Sequence, residues 1–368
     1  MIDTFQLADE FGPARVIHIH RPSLGLKAVA VVDNTACGPS VGGVRMAPDV
    51  STEECFRLAR AMTWKNAAAG LPHGGGKSVI FGDPRVPRER KEEIIRAFAD
   101  AIRDVGDYIP GPDMGTDERC MGWIKDETGR AVGLPAAIGG IPLDEIGATG
   151  FGLAACIDVA REFIGLDLKG ARVAVQGFGA VGKHAARFLA EKGAVLVAAS
   201  DTSGTLADPA GLDIAALTAL KAAGNPLHDY CRASKLSGDA IIDIDCDIWI
   251  PAARPDVVNA GNVHRLKTRL VAQGANIPFT REAEDALYKR GVLVVPDFIA
   301  NAGGVICAAV EFSGSTQRTA FDMIDEKIRT NTRLVLDDSK RSGKMPRAAA
   351  LALAERRVRT AAEIRRWH

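Results

Sequence analysis

The sequence has no excess of charge of either sign, because 46 Lys and Arg residues balance 46 Asp and Glu residues. Proteins that bind nucleic acid usually carry surplus basic residues that neutralise phosphates, so we expect no nucleic-acid partner. The chain also has no run of the roughly 18 apolar residues that a membrane span needs, and its first residues show no signal-peptide pattern. We therefore expect a soluble, cytoplasmic protein with no membrane partner.

Cysteine is scarce and aromatic residues are few. The seven cysteines form no Cys-x-x-Cys pair, which is typical of reduced thiols rather than of a disulfide framework or a zinc site. His18 and His20 would share one face of a predicted strand, but no third ligand lies near them, so we expect no metal site. Aromatic residues make up 5% of the chain whereas glycine occurs 38 times, so close backbone approaches should matter more than aromatic platforms.

The second half of the chain follows the order strand, glycine turn, helix, strand. Residues 171–176 are predicted as a strand, a helix then runs to about Lys192, and a second strand ends at Asp201. A Gly-x-Gly-x-x-Gly turn in this context indicates dinucleotide binding, with the pyrophosphate at the helix N-terminus and the acid on the ribose. The predicted cofactor-binding residues are Gly177, Phe178, Gly179, Ala180, Val181, Gly182 and Asp201. The alternative for Asp201 is a purely structural role in the turn that follows it.

Domain organisation follows from length and from the spacing of strands. Further apolar strands at 248–250, 270–272 and 293–295 predict a parallel sheet with crossover helices, and hence an α/β fold. At roughly 150 residues per domain, 368 residues correspond to two domains. We place the boundary in the glycine- and proline-rich stretch near Gly140, giving residues 1–140, a Rossmann-type domain over 141–344, and a C-terminal helix over about 345–368.

Two lysines and one acid are candidates for chemistry in the first domain. A helix that begins with a capping box at Ser51 carries Lys65 at the end of an apolar face, where the lysine either reaches solvent or meets an anion. Lys77 is predicted at the entrance of a strand, and Asp113 on a stiff loop that is neither helix nor strand, since prolines and glycines flank it. One lysine holding a carboxylate and a second acting as base would suit chemistry on an amino acid or imine. Three unrelated surface charges are the alternative.

The stretch Gly76-Lys77-Ser78 ends like a phosphate-binding P-loop. That motif requires a glycine six residues before the lysine, where this chain has Leu71, and a strand before the loop rather than a helix. A P-loop nucleotidase therefore does not fit.

At these residues the sequence resembles the glutamate/leucine/phenylalanine/valine dehydrogenase family, over about Val41 to Phe312. Several motifs occur in the same order as in that family. They are Gly42–Arg45, Met62–Asn66, Leu71–Lys77, Pro112–Thr116, Gly147–Gly150, Gly274–Asn276 and Asn301–Val305.

The resemblance implies reversible oxidative deamination of an L-amino acid to the 2-oxo acid and ammonia. It further implies that Lys65 binds the substrate carboxylate with help from Asn301, that Lys77 activates water, and that Asp113 exchanges protons with the amine. The residues that would lie along the cofactor are Thr149, Ala252, Ala253 and Asn276. Residues 1–140 would then serve substrate binding and oligomerisation, with a cleft before the dinucleotide-binding domain, in a homo-hexamer or octamer.

Two departures from the family pattern bear on the substrate. Relatives that use glutamate have a lysine where this chain has Val41 and a serine where it has Ala308, and both reach the side-chain carboxylate. Burying an unpaired carboxylate is costly, so the resemblance predicts an apolar substrate, branched-chain or aromatic. Gly43, Met62 and Val305 complete the predicted substrate site.

Other features keep alternatives open. Residues 139–143 and 201–205 look more like the glutamate-specific branch, so a glutamate dehydrogenase is one alternative, and a non-catalytic dinucleotide-binding regulator is another. We expect NAD as cofactor because Asp201 would repel a 2′-phosphate. NADP is the alternative cofactor, because residues 201–204 resemble a stretch in relatives that use NADP and Arg254 adds a cation beside the cofactor region.

Overall fold

The computed structural model describes residues 4–366, which form two compact units. The first unit draws on the described residues of Met1–Leu143, Val305–Ala320 and Leu351–His368, and the second comprises Asp144–Gly304 and Phe321–Ala350. Residues 305–320, which the sequence analysis assigned to the dinucleotide-binding domain, thus belong to the first unit. So does the later part of the C-terminal helix, where Arg357 Nη1 donates hydrogen bonds to the carbonyls of Ala67 and Ala68 at 3.1 and 2.6 Å.

Twelve strands and twelve α-helices make up the described part of the chain. The strands are β1 Arg15–Arg21, β2 Leu26–Asn34, β3 Ser40–Ala47, β4 Gly74–Phe81, β5 Tyr108–Pro112, β6 Arg172–Gln176, β7 Val195–Asp201, β8 Gly204–Ala207, β9 Ser234–Leu236, β10 Ile248–Pro251, β11 Leu270–Ala272 and β12 Leu293–Val295. The helices are α1 Thr52–Ala68, α2 Arg88–Ala101, α3 Glu118–Thr128, α4 Leu143–Ile146, α5 Ala148–Ala160, α6 Ala180–Ala190, α7 Ile214–Ala222, α8 Arg281–Lys289, α9 Asp297–Ala300, α10 Gly303–Phe312, α11 Gln317–Ser342 and α12 Pro346–Ala362. None of these helices is long and apolar enough to cross a membrane.

The first unit is built on a five-stranded sheet in the order β1-β2-β4-β3-β5. Strand β4 pairs antiparallel with β2 and parallel with β3, and β3 pairs parallel with β5. Side chains of β2 alternate between two cores: Val29 and Val31 pack with Phe56 of α1, whereas Ala30 packs with Phe98 of α2 on the other face. Burial on both faces explains why residues 28–32 of β2 are all apolar.

Helix α1 begins as its capping residues predict. Ser51 is the N-cap, and its Oγ accepts a hydrogen bond from the Glu54 amide at 3.0 Å. A Cβ on Gly75 of β4 would overlap the backbone of Thr63, so glycine at this position lets α1 lie directly against the strand.

The second unit contains a seven-stranded sheet in the order β12-β11-β10-β6-β7-β8-β9. The first five strands in this order are parallel, which confirms the predicted Rossmann-type α/β sheet. Strands β8 and β9 add an antiparallel edge that the sequence analysis did not predict. Strand β7 lies beside β6 on one side and β10 lies beside it on the other, so the strand order reverses direction at β6. Open α/β sheets bind ligands at such a switch point.

Two local predictions were wrong. Residues 108–112 form strand β5, because pairing with β3 from Ser40–Tyr108 to Val44–Pro112 outweighs the low strand propensity of Pro110 and Pro112, and a strand at the edge of a sheet tolerates proline. Lys77 lies not at a strand entrance but in the middle of β4, which begins at Gly74.

Candidate active site and cofactor site

Lys77 and Asp113 form a largely buried ion pair in the first unit. Lys77 Nζ is in direct hydrogen-bond contact with Asp113 Oδ2, and the two side chains are 8% and 20% exposed. Strand β4 supplies the lysine, and the aspartate follows directly on β5. The two residues are therefore not unrelated surface charges.

The surroundings of Asp113 favour its ionised form. Burial raises the pKa of this carboxyl, but the charge and hydrogen bond of Lys77, followed by the charge of Arg45, outweigh that effect and hold the pKa below its ordinary value. The Met114 amide also donates a hydrogen bond to Oδ1 at 2.7 Å. Asp113 is therefore a carboxylate at neutral pH and can accept a proton.

Arg45 is a site residue that the sequence analysis did not assign. Its Nε lies 3.5 Å from Asp113 Oδ2, and its Nη1 pairs with Glu54 of α1. The signal was present, because residues two apart on a strand share one face and Arg45 lies two residues after Gly43 on β3. A Cβ on Gly43 would lie 2.8 Å from the Asp113 Cβ, so this glycine makes room for the acid.

Lys65 lies in the last turn of α1 and is half-buried. The next residue attaches the helix end to β4, since Asn66 Nδ2 donates to the Gly74 carbonyl at 2.7 Å. Met62, three residues before Lys65, is also half-buried. The structure thus places Lys65 and Met62 on the helix that packs against the strand carrying Lys77.

A small apolar cluster lies on the same sheet as the ion pair. Its members are the buried side chains of Val41, Ile109, Val132 and Ala308. Val41 precedes Gly43 by two residues and so shares its face of β3, and the β3–β5 pairing sets Val41 beside Ile109. Val305, half-buried, precedes Ala308 by three residues on α10. The sequence did not predict Ile109 or Val132 as members of this cluster. Pairing of β3 with β5, had it been predicted, would have indicated Ile109.

The glycine turn between β6 and α6 has the form that the sequence predicts. Gly177 has φ +94°, and the amides of Gly177 and Phe178 donate to the Ser200 carbonyl at 3.1 and 2.8 Å. A Cβ on Gly182 would overlap the Gly177 carbonyl, so close packing requires this glycine. A Cβ on Gly179 would meet nothing within 4 Å, so this glycine leaves open space at the start of α6.

A cavity of about 630 Å³ opens at the carboxyl ends of β6, β7 and β10. Predicted cofactor residues that line it are Gly177, Phe178, Gly179, Asp201, Ala252 and Ala253. Ala180, Val181 and Gly182 form the first turn of α6, where backbone amides and the helix dipole favour an anion. The open space at Gly179 and the cavity together fit a dinucleotide.

Asp201 is held by four hydrogen bonds from its own unit. Ser203 donates to Oδ1 through its amide (2.8 Å) and its hydroxyl (2.5 Å), while Lys221 Nζ (2.7 Å) and the Leu227 amide (3.0 Å) donate to Oδ2. Burial raises the pKa of Asp201, but Lys221 and the other donors lower it to about 2. The contacts with Ser203 are those of a turn aspartate.

Asn301 and Asn276 lie together in the second unit. Asn301 Nδ2 donates to the carbonyls of Gly274 and Ala275 at 3.3 Å and to Asn276 Oδ1 at 3.1 Å. Its buried Oδ1 has no hydrogen-bond partner among residues 4–366. Asn301 therefore offers an acceptor, whereas holding a carboxylate would need its amide to reorient.

Thr149, half-buried in the first turn of α5, lies against Gly303.

Comparison with known proteins gives consistent matches. The model of the family described as Glutamate/Leucine/Phenylalanine/Valine dehydrogenase matches residues 139–366, and that of the Glu/Leu/Phe/Val dehydrogenase dimerisation domain matches residues 13–130. The chain is 38% identical over 358 residues to the glutamate dehydrogenase of Aeropyrum pernix, covering 91% of this chain and 85% of that protein.

Two solved structures are similar over nearly the whole chain. The hetero-hexameric glutamate dehydrogenase of Thermus thermophilus, in a Leu-bound form, has a TM-score of 0.86 and 28% identity, and the match covers 96% of this chain and 90% of that one. L-tryptophan dehydrogenase of Nostoc punctiforme has a TM-score of 0.75 and 27% identity, with 98% of each chain covered.

Proposed function

The chain belongs to the glutamate/leucine/phenylalanine/valine dehydrogenase family, and from this premise we propose that it reversibly deaminates L-amino acids with apolar side chains. The family uses NAD or NADP. The observation that carries the choice of substrate is the buried apolar cluster of Val41, Ile109, Val132 and Ala308, which shares its sheet with the Lys77–Asp113 pair.

The position of this cluster supports an apolar substrate. Val41 and Gly43 share one face of β3, and Asp113 lies over Gly43. A substrate whose amino group faces Asp113 would extend its side chain along that face towards Val41 and Ala308. Neither residue offers a cation, and a carboxylate buried there without a partner would lose its hydration uncompensated.

Three charged residues of the first unit, Lys65, Asp113 and Lys77, each have a role in this proposed reaction. Lys65 would hold the substrate α-carboxylate, as a cation at the end of α1. Asp113, already ionised, would take a proton from the substrate ammonium at a carboxylate oxygen. A nicotinamide cofactor bound at the β6–α6 turn would supply the acceptor for the hydride that leaves the substrate Cα. Lys77 would then orient the water that attacks the imine carbon, after which the C–N bond breaks and ammonia leaves the 2-oxo acid. The contact of Lys77 with Asp113 would let a proton pass between Nζ and Oδ2 during these steps.

One specific observation favours the alternative substrate, glutamate. The relative in Aeropyrum pernix is named a glutamate dehydrogenase, and it is 38% identical to this chain. The proposal rests instead on contacts, because the groups that line a pocket set its selectivity.

Formation of the reduced cofactor with L-leucine, L-valine, L-phenylalanine and L-glutamate, each with NAD and with NADP, tests the proposal. We expect turnover with at least one apolar amino acid and a clear preference for it over glutamate. A preference for glutamate would contradict the proposed pocket. Cofactor binding without turnover of any amino acid would point to a non-catalytic regulator instead.

We also propose that the chain assembles with copies of itself, as a hexamer or octamer. The match of residues 13–130 to the dimerisation domain supports self-association through the first unit.

A further inference from the structure

Asp201, the last residue of β7, cannot bind the cofactor's ribose in the way that its position in the fold predicts. An aspartate selects NAD by accepting hydrogen bonds from the ribose hydroxyls and by repelling a 2′-phosphate. The four donors on Asp201 fill the positions at which its two oxygens accept hydrogen bonds. The Lys221 ammonium also neutralises the negative charge of Asp201, whose side chain is only 10% exposed.

We propose that Lys221 makes the adenosine end of the cofactor cavity accept a 2′-phosphate, so that the protein binds NADP as well as NAD. This inference rests on the proposed cofactor site. Lys221 reaches the cavity from α7, beside Asp201 and Thr202. Its ammonium carries three protons, of which Asp201 accepts one, so the lysine can donate hydrogen bonds to further acceptors.

The other charged groups that line the cavity do not restore a selective negative charge. Arg265 is committed to Asp243 through two hydrogen bonds of 2.9 and 2.7 Å. Arg254 and Asp239 line the cavity from exposed positions and carry opposite charges. Of the two described carboxylates that line the cavity, Asp201 is paired with Lys221, which leaves the exposed Asp239, whose charge water and salt screen.

The Lys221–Asp201 pair therefore acts as a selectivity device. While the pair is intact, the carboxylate is neutralised and the lysine faces the ligand. If the lysine is removed, the carboxylate keeps its negative charge and gains one free acceptor position at Oδ2, beside the hydrogen bond from the Leu227 amide. That change should weaken binding of a 2′-phosphate and leave or improve binding of the ribose hydroxyls.

Calorimetric titration with ADP-ribose and with 2′-phospho-ADP-ribose tests this directly. Neither probe carries the nicotinamide and no amino acid is present, so the result does not depend on turnover. We expect the wild-type affinities to lie within about tenfold of each other. Lys221→Ala should weaken 2′-phospho-ADP-ribose by about tenfold or more without weakening ADP-ribose.

Two further variants control this test. Lys221→Arg keeps the charge and should keep most of the affinity for 2′-phospho-ADP-ribose, while Lys289→Ala removes an exposed lysine of α8, outside the cavity, and should change neither probe. A wild type that binds ADP-ribose about a hundredfold tighter overturns the proposal, as does a Lys221→Ala variant that weakens both probes equally or neither. Such a failure would leave the proposed deamination standing.

Discussion

The charge of Lys77 and that of Asp113 depend on each other, because both side chains are largely withdrawn from water. Removing one partner of a buried ion pair leaves the other charge uncompensated, at a cost of about 3–5 kcal/mol of stability. Since apolar residues of similar volume often stabilise such a position as well or better, a buried ion pair here is typical of a site that performs chemistry.

Replacing either member should abolish most turnover. We expect Asp113→Asn and Lys77→Met each to lower kcat by about 10²–10⁴-fold, since each removes a group that handles a proton. Cofactor affinity should change little, because the cofactor turn belongs to the second unit. Steady-state kinetics and cofactor titration measure both, and thermal unfolding checks that the variants fold. Asp104→Asn, at an exposed position of the first unit, is the matched control. Retained kcat in either variant would remove that residue from the mechanism.

Replacing Arg45 should shift the pH dependence of kcat/KM. It is one of the cations that lower the pKa of Asp113, so Arg45→Met should raise that pKa. Activity that needs the carboxylate is present above this pKa and lost as pH falls through it. The acid limb of kcat/KM should therefore move to higher pH in Arg45→Met and remain near its wild-type position in Arg45→Lys. Superimposable profiles for wild type and Arg45→Met would show that Arg45 does not act on Asp113.

At the scale of elements, sequence reasoning succeeded where local chemistry decides the structure. The β6–α6 turn was predicted because a tight turn and close packing require Gly177 and Gly182 whatever lies around them. It failed at β5 and at the start of β4, where pairing with β3 overrides weak strand propensity. The roles of Lys77 and Asp113 came from motif resemblance, and their contact became visible only once both strands lay in one sheet.

Gly179 and Gly182 of the β6–α6 turn should respond differently to substitution. Gly182→Ala should destabilise the protein, because its Cβ would overlap the Gly177 carbonyl. Gly179→Ala meets no atom of the chain and should fold normally, yet it should bind NAD and NADP more weakly because the methyl group occupies the space left for the ligand. Thermal unfolding and cofactor titration separate the two effects, with Gly106→Ala, also in open space but on the first unit, as control. A Gly179→Ala variant with unchanged affinity would argue against a pyrophosphate at this position.

At the scale of the molecule, the two units are assembled from separate stretches of chain. Residues 305–320 belong to the first unit, and for this reason Ala308 joins Val41 in one buried cluster although the two are far apart in sequence. Sequence reasoning placed both residues in the substrate site through family resemblance alone. It could not supply Val132, because no local pattern indicates which distant side chains will share a core.

The selectivity between leucine and glutamate shows whether an apolar pocket around Val41 and Ala308 selects the substrate. We propose to measure kcat/KM for both amino acids with the wild type, with Val41→Lys/Ala308→Ser, and with Val41→Leu as an apolar control. The wild type and Val41→Leu should prefer leucine by about a hundredfold or more, and the double variant should shift that ratio towards glutamate by at least about tenfold, since it supplies a cation and a hydroxyl to the side-chain carboxylate. A wild type that prefers glutamate, or a double variant with an unchanged ratio, would contradict the account.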